Sequence, residues 1–159
     1  MMNGTGENTF EPDIRLSRGM IAQVLYNLEG RPAGADSAFT DVAADAWYAD
    51  AVNWAAATGI VGGYGDGTFG ADDPITREQM AQIIYRYAGY KNIERNVRGD
   101  LSAFTDGGAT SDWATTAMEW AVGAKVLTGR EDGSLDPTGT ATRAEVAQIL
   151  MNFCETVLR

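Results

Sequence analysis

The chain has 159 residues, 45% of them hydrophobic, with 12 basic against 22 acidic side chains and a formal net charge of −10. That length and apolar content suit one compact domain with a real core, and the acidic balance argues against nucleic acid or an anionic membrane as partner, because no basic patch is present to displace counterions. No run approaches the ~18 apolar residues of a membrane span, nothing after Met1 and Met2 resembles a secretory h-region, and a single cysteine, Cys154, excludes an internal disulfide and reads as a small core residue.

The predicted elements repeat in chain order. After Arg18 the apolar residues Ile21, Val24, Leu25 and Leu28 follow the i, i+3, i+4, i+7 pattern of an amphipathic helix. A second helix type carries Trp47, Ala51, Trp54 and Ala55 and is ended by Gly59. The loop Gly62-Gly63-Tyr64-Gly65-Asp66-Gly67-Thr68-Phe69 is too rich in glycine for a long strand and supplies turns with positive φ. Arg77 then opens a helix with Met80, Ile83, Ile84 and Tyr87; the polar stretch from Lys91 reads as a solvated linker; and Trp113, Ala117, Trp120 and Ala121 repeat the tryptophan helix, with Gly123 near its end. Arg143 opens the last helix, with Val146, Ile149, Leu150 and Phe153.

The arginines set the register. Arg18 to Arg77 is 77 − 18 = 59 residues and Arg77 to Arg143 is 143 − 77 = 66, so each unit holds more than one helix. Phe10, Phe69 and Leu135 align upstream, and Ala22-Gln23, Ala81-Gln82 and Ala147-Gln148 downstream. Asn3-Gly4 falls in register with Gly62-Gly63, so Met1 opens in mid-loop and the first unit is expected to be truncated, lacking its tryptophan helix. The expected organisation is one domain, 1–159: residues 1–33 the second half of a first repeat, 34–90 a second, 91–103 a linker and 104–159 a third. The fold class is all-α, made of repeated helix-loop-helix units.

Thr76 with Gln79, and Thr142 with Glu145, have the spacing of capping boxes, which accounts for the threonines. It does not account for arginine. A helix N-terminus already carries partial positive charge and free N–H donors, so a guanidinium in the first turn is disfavoured by several tenths of a kcal/mol. Three such arginines in register suggest that helix end and guanidinium together receive an anion; the competing explanation is an internal salt bridge, for example to Asp41 or Asp106. Trp54 and Trp120 continue the alanine stripe and belong to the core. Trp47 and Trp113, at helix starts beside Asp45 and Asp112, are placed to be half exposed and to stack on a sugar. Tyr64, and Arg130 at the equivalent position, project from the loop and are not core residues. The acidic turns at Asp66 and Asp132 lack the alternating ligands of a calcium loop, so no metal or cofactor is expected.

Phe39-Thr40-Asp41-Val42, Trp47-Tyr48, Ala51-Val52, Gly59-Ile60, Gly63, Gly67-Thr68-Phe69 and Ile75-Thr76-Arg77-Glu78 resemble the S-layer homology repeat of bacterial surface proteins. Phe104-Thr105-Asp106, Trp113-Ala114, Gly129-Arg130 and Thr142-Arg143-Ala144-Glu145 resemble a further copy, and residues 1–30 the back half of another. The resemblance implies a pseudo-threefold, three-pronged helical spindle whose grooves bind the secondary cell wall polysaccharide of a Gram-positive-type bacterium, through a pyruvylated amino sugar whose carboxylate meets the repeat's arginine. Together with the residues singled out above, the candidate glycan-binding set is Arg18, Arg77 and Arg143 with Asp41, Asp106, Gly63, Gly129, Tyr64, Arg130, Trp47 and Trp113. Glu78-Gln79, Ser17-Arg18-Gly19-Met20 and Asp106-Gly107 depart from the family pattern. The implied protein is extracellular, at the cell wall or surface, with its signal peptide upstream. The alternative is a helical protein-interaction or self-assembly module, associating through the incomplete first repeat. A glycosidase is disfavoured, since there is no histidine and no nucleophile paired with a base.

Overall fold

In the computed structural model, which describes residues 15–33 and 35–158, the chain forms two compact units, Met1–Pro74 and Ile75–Arg159. Asn3, Gly4 and Phe10, on which the register of the first repeat rests, lie outside the described residues. The described structure is helical, and its extended pairings include the isolated bridges Ser17 to Pro74 and Thr76 to Thr140.

Unit one contains α1 (Arg18–Leu28) and α2 (Ala49–Ala57). Of the predicted α1 stripe, Ile21, Val24 and Leu25 are buried, while Leu28, at the helix end, emerges to 43% exposure. They pack with Ala51, Val52, Trp54 and Ala55 of α2, all buried, and the rings of Tyr26 and Trp54 meet with centroids 5.7 Å apart. Gly59 takes φ +79° just past α2, the left-handed stop expected of it.

Unit two contains α3 (Arg77–Tyr90), α4 (Thr115–Gly123) and α5 (Arg143–Thr156), with single 3₁₀ turns at Leu101–Ala103, Gly107–Ala109 and Asp112–Ala114. Both predicted stripes are buried in full, and Phe153 lies 5.8 Å from Tyr87 and 6.4 Å from Trp120 between ring centroids. Cys154 is only half-buried, outside that core. The stretch from Lys91 is pinned as well as solvated. Arg95 stacks 4.4 Å from the Tyr85 ring and donates to the Tyr85 carbonyl at 3.2 Å, while the Gly99 N–H donates to the Glu119 carbonyl at 2.7 Å.

Lys125 takes φ +61° at the position where the preceding repeat has Gly59, since 59 + 66 = 125. A side chain in that conformation costs roughly 1 kcal/mol. Lys125→Gly is therefore expected to stabilise unit two by about that amount, read as a higher urea midpoint at unchanged slope; a lower midpoint would show that the lysine makes a compensating contact.

Candidate functional site

Arg18 and Arg77 are seated in the same way. In unit one the Arg18 side chain is buried and donates through Nε to the Phe69 carbonyl at 3.0 Å and through Nη2 to the Gly62 carbonyl at 2.9 Å. In unit two Arg77 donates through Nε to the Leu135 carbonyl at 2.8 Å and through Nη2 to the Thr128 carbonyl at 2.9 Å. Gly62 and Thr128, like Phe69 and Leu135, are 66 residues apart, so the two seats correspond atom for atom. The guanidinium is thus a staple across the glycine loop. Arg143 is also buried, at 4% exposure.

The N-termini of α1 and α3 differ from the expected anion cups, because loop carbonyls already close them. The N–H groups of Arg18 and Gly19 donate to the carbonyls of Asp73 and Ala71, and those of Arg77 and Glu78 to Gly139 and Pro137. Ser17, Thr76 and Thr142 cap the third position in each helix. The reciprocal half of the capping box forms at Thr76, where Gln79 reaches back at 3.0 Å. At Thr142 the structure differs from expectation: Glu145 leaves the box because two guanidiniums outcompete one backbone N–H for its carboxylate.

The arginine partners of that carboxylate were missed by sequence reasoning, because they lie 68 and 15 residues away along the chain. Glu145 Oε2 accepts from Arg77 Nη1 at 3.0 Å and Oε1 from Arg130 Nη1 at 3.0 Å, while Arg130 Nη2 reaches Asp136 Oδ2 at 3.1 Å. The network borders a cleft of about 300 Å³ lined also by Thr128, Gly129, Gln148 and Asn152. Arg130 Nε is buried there without a hydrogen-bond partner among the described residues. Glu78 is the other missed group. It is buried at 4% exposure and accepts from both the N–H and the hydroxyl of Ser111, which anchors the start of the tryptophan helix.

Tyr64 stands where Arg130 does. Its ring covers Arg18 at 4.8 Å, with Phe69 on the same guanidinium at 4.7 Å. Its hydroxyl donates to Asp73 at 2.6 Å, and burial together with that bond raises its pKa. Burial lowers the pKa of Arg18, against opposing pulls from Tyr64, Asp73 and Asp41, and the group remains a cation.

The remaining expected residues shape the loops. Asp41 accepts from the N–H groups of Phe69 and Gly70 at 2.8 Å each, and Asp106 from those of Leu135 and Asp136 at 2.7 and 2.9 Å. Among the described residues, no salt bridge joins Asp41 or Asp106 to Arg18 or Arg77. Gly63 and Gly129 sit against the rings of Phe39 and Phe104, where an added Cβ would come within 2.6 and 2.5 Å of ring carbons. Trp47 and Trp113 are 60% and 56% exposed, as their position at the helix starts implies.

The aspartates make the fold acid-sensitive. At Asp41 desolvation opposes ionisation but is outweighed by the backbone N–H donors, and at Asp106 the Leu135 N–H leads in the same direction, so both carboxyls are held below their ordinary range. Hydroxyl and N–H donors two residues on do likewise for Asp66, Asp100 and Asp132. Depressed folded values mean that this stabilisation is present above the unfolded carboxylate range and is lost as pH falls through the folded values. The thermal midpoint is expected to hold near neutrality and to fall below about pH 4. Asp41→Asn with Asp106→Asn should flatten that fall; an unchanged profile would refute the loop-clamp role.

Helix, glycine loop and helix, with a buried arginine stapled to the loop, define a repeat module. The family model described as S-layer homology domain matches residues 38–81 and 103–147, and the chain belongs to that family. The surface-layer 125 kDa protein of Lysinibacillus sphaericus is 31% identical over 99% of this chain and 13% of its own length. The exoglucanase XynX of Acetivibrio thermocellus is 31% identical over 98% of this chain and 14% of its own, and the amylopullulanase of Thermoanaerobacterium thermosulfurigenes 30% identical over 98% and 8%. The chain therefore spans only a small part of these relatives.

Proposed function

We propose that this chain is a non-catalytic cell-wall anchoring module that binds an anionic secondary wall polysaccharide, with the Arg77 and Arg130 cleft receiving an acidic substituent such as a pyruvate ketal. The observation that carries the reading is the convergence of two guanidiniums on one carboxylate at a cleft of sugar size. Arg77 is committed to loop carbonyls and Glu145 and is buried, so Arg130, a third exposed and with a rim partner in Asp136, is the group that meets the ligand. A ligand carboxylate takes the place of Asp136, whose pairing with Arg130 is partly exposed and weak. Arg18 under Tyr64 and the buried Arg143 are the corresponding positions of the other repeats. Asp41, Asp106, Gly63 and Gly129 hold the loops in shape, and Trp47 and Trp113 supply sugar-stacking surface.

Relatives named as surface-layer proteins and as glucan-degrading enzymes share this module over a small share of their lengths. That distribution supports an address appended to diverse cargo and a location at the cell wall. The net charge of −10 repels an anionic polymer at long range, so binding depends on contacts inside the ~8 Å screening length.

The test is calorimetric titration with a pyruvylated N-acetylhexosamine and its unsubstituted parent. Only the pyruvylated sugar should bind in the cleft. Arg130→Met should weaken it at least about tenfold, the scale of one lost charge-assisted contact. Asp136→Asn should tighten it severalfold, because a competing charge is removed and asparagine keeps the φ of +50° at that position. Equal binding of both sugars, or indifference to both substitutions, would overturn the reading.

A further inference from the structure

A second polar cleft lies on unit one, lined by residues that do not include its arginine staple. Gln23, Tyr26, Asn27, Arg31, Trp47 and Asp50 enclose about 360 Å³. Its polar groups are locked together: Gln23 Nε2 and Arg31 Nε both donate to Asn27 Oδ1, at 3.0 and 2.9 Å. Arg31 is held by a left-handed backbone, φ +57°, with its N–H donating to the Tyr26 carbonyl at 2.9 Å, and Tyr26 in turn donates to the Pro32 carbonyl at 3.0 Å. A non-glycine residue in that conformation is uncommon and marks a position that its surroundings over-determine.

The arrangement recurs. Gln82 and Arg86 of α3 correspond to Gln23 and Asn27, since 23 + 59 = 82 and 27 + 59 = 86. With its amide turned to satisfy both neighbours, Gln82 donates to the Trp113 carbonyl at 3.2 Å and accepts from Arg86 Nε at 3.0 Å. Each unit thus keeps a largely exposed tryptophan beside a helix ridge of interlocked amide and guanidinium groups. The same register presents an open indole face beside polar groups in both units.

We infer that the Trp47 cleft is a binding site for an uncharged hexopyranose unit of a glycan chain, separate from the arginine cleft, with Trp113, Gln82 and Arg86 as its counterpart in unit two. The chemistry selects this occupant. A pyranose has one C–H face that suits the negative face of an indole, and an equatorial rim of hydroxyls that both donate and accept. Asp50 offers acceptors, while Asn27 Nδ2 and the Arg31 Nη groups offer donors with no partner among the described residues. Arg31 and Asp50 offset one another, so the cleft gives an ionic ligand no net attraction. The groups are already fixed, which lowers the ordering cost of a contact. The inference rests on the wall-glycan reading only for the source of the sugar.

The experiment is an indole NMR titration of the ¹⁵N-labelled chain with the N-acetylglucosamine trimer and, separately, cellotriose. The chain has four tryptophans, and buried Trp54 and Trp120 serve as internal references. Saturable movement of the Trp47 signal with either sugar, with the references still, is the expected result. Arg31→Gly suits the left-handed backbone, and Arg31→Gly and Asn27→Ala should each weaken that response at least fivefold. Arg130→Met should leave it unchanged. No movement of Trp47 with either sugar, or movement indifferent to Arg31→Gly and Asn27→Ala, would overturn the inference. If Arg130→Met abolishes binding of the pyruvylated sugar while Trp47 stays silent, this inference falls and the anchoring reading stands; the converse pattern separates them the other way.

Discussion

Arg77→Leu is expected to destabilise unit two by about 3–5 kcal/mol, the cost of removing one partner from a buried, hydrogen-bonded ion pair. The side chain is 5% exposed and serves three acceptors: the carbonyls of Leu135 and Thr128 and the carboxylate of Glu145. Leucine fills much of the volume but leaves both carbonyls and part of the carboxylate unsatisfied. Arg77→Lys should fall between, because an ammonium keeps the charge yet cannot reproduce the fork. Urea unfolding of the two variants checks this, and a loss below about 1 kcal/mol for the leucine variant would mean that the loop reorganises without its staple. The prediction has a practical consequence. Loss of wall binding in an Arg77 variant would not by itself separate an empty ligand seat from a collapsed loop, which is why Arg130 and Asp136, at the rim, are the informative positions.

Phe69→Ala should damage unit one on a similar scale, about 3–5 kcal/mol. The Phe69 ring is fully buried, meets Phe39 at 5.2 Å and carries the Arg18 guanidinium at 4.7 Å. Its removal opens a cavity directly beneath the arginine and frees Phe39, whose ring otherwise closes on Gly63. The expected readout is a lower thermal midpoint together with increased exchange at the amides of positions 69 and 70 that Asp41 holds. Protection of those amides at the native level would contradict the packing account.

The helical stripes were legible because burial at i, i+3, i+4 and i+7 is written in side-chain identity, and the same holds for Trp54 and Trp120 inside against Trp47 and Trp113 outside. The arginine seats were half legible. Their triple register announced a shared task, but the acceptors are backbone carbonyls, and a carbonyl's position leaves no mark on residue type. The local spacing of Thr142 and Glu145 argued for a capping box, and long-range competition for the carboxylate decided otherwise. The glycines at 63 and 129 were read as turn and binding residues. Their tight constraint is the aromatic ring packed on each, a contact with a residue 24 or 25 positions away (63 − 39 = 24; 129 − 104 = 25) that no local pattern contains.

The most direct measurement is co-sedimentation of the chain with purified Gram-positive-type cell wall, before and after acid stripping of the secondary polysaccharide, with Arg130→Met alongside after its fold has been checked. Saturable binding to intact wall that disappears on stripping and drops at least about tenfold in the variant is the predicted result. Equal sedimentation with stripped and intact wall, or a folded Arg130→Met variant that binds as tightly as the parent, would contradict anchoring through an anionic glycan in the arginine cleft.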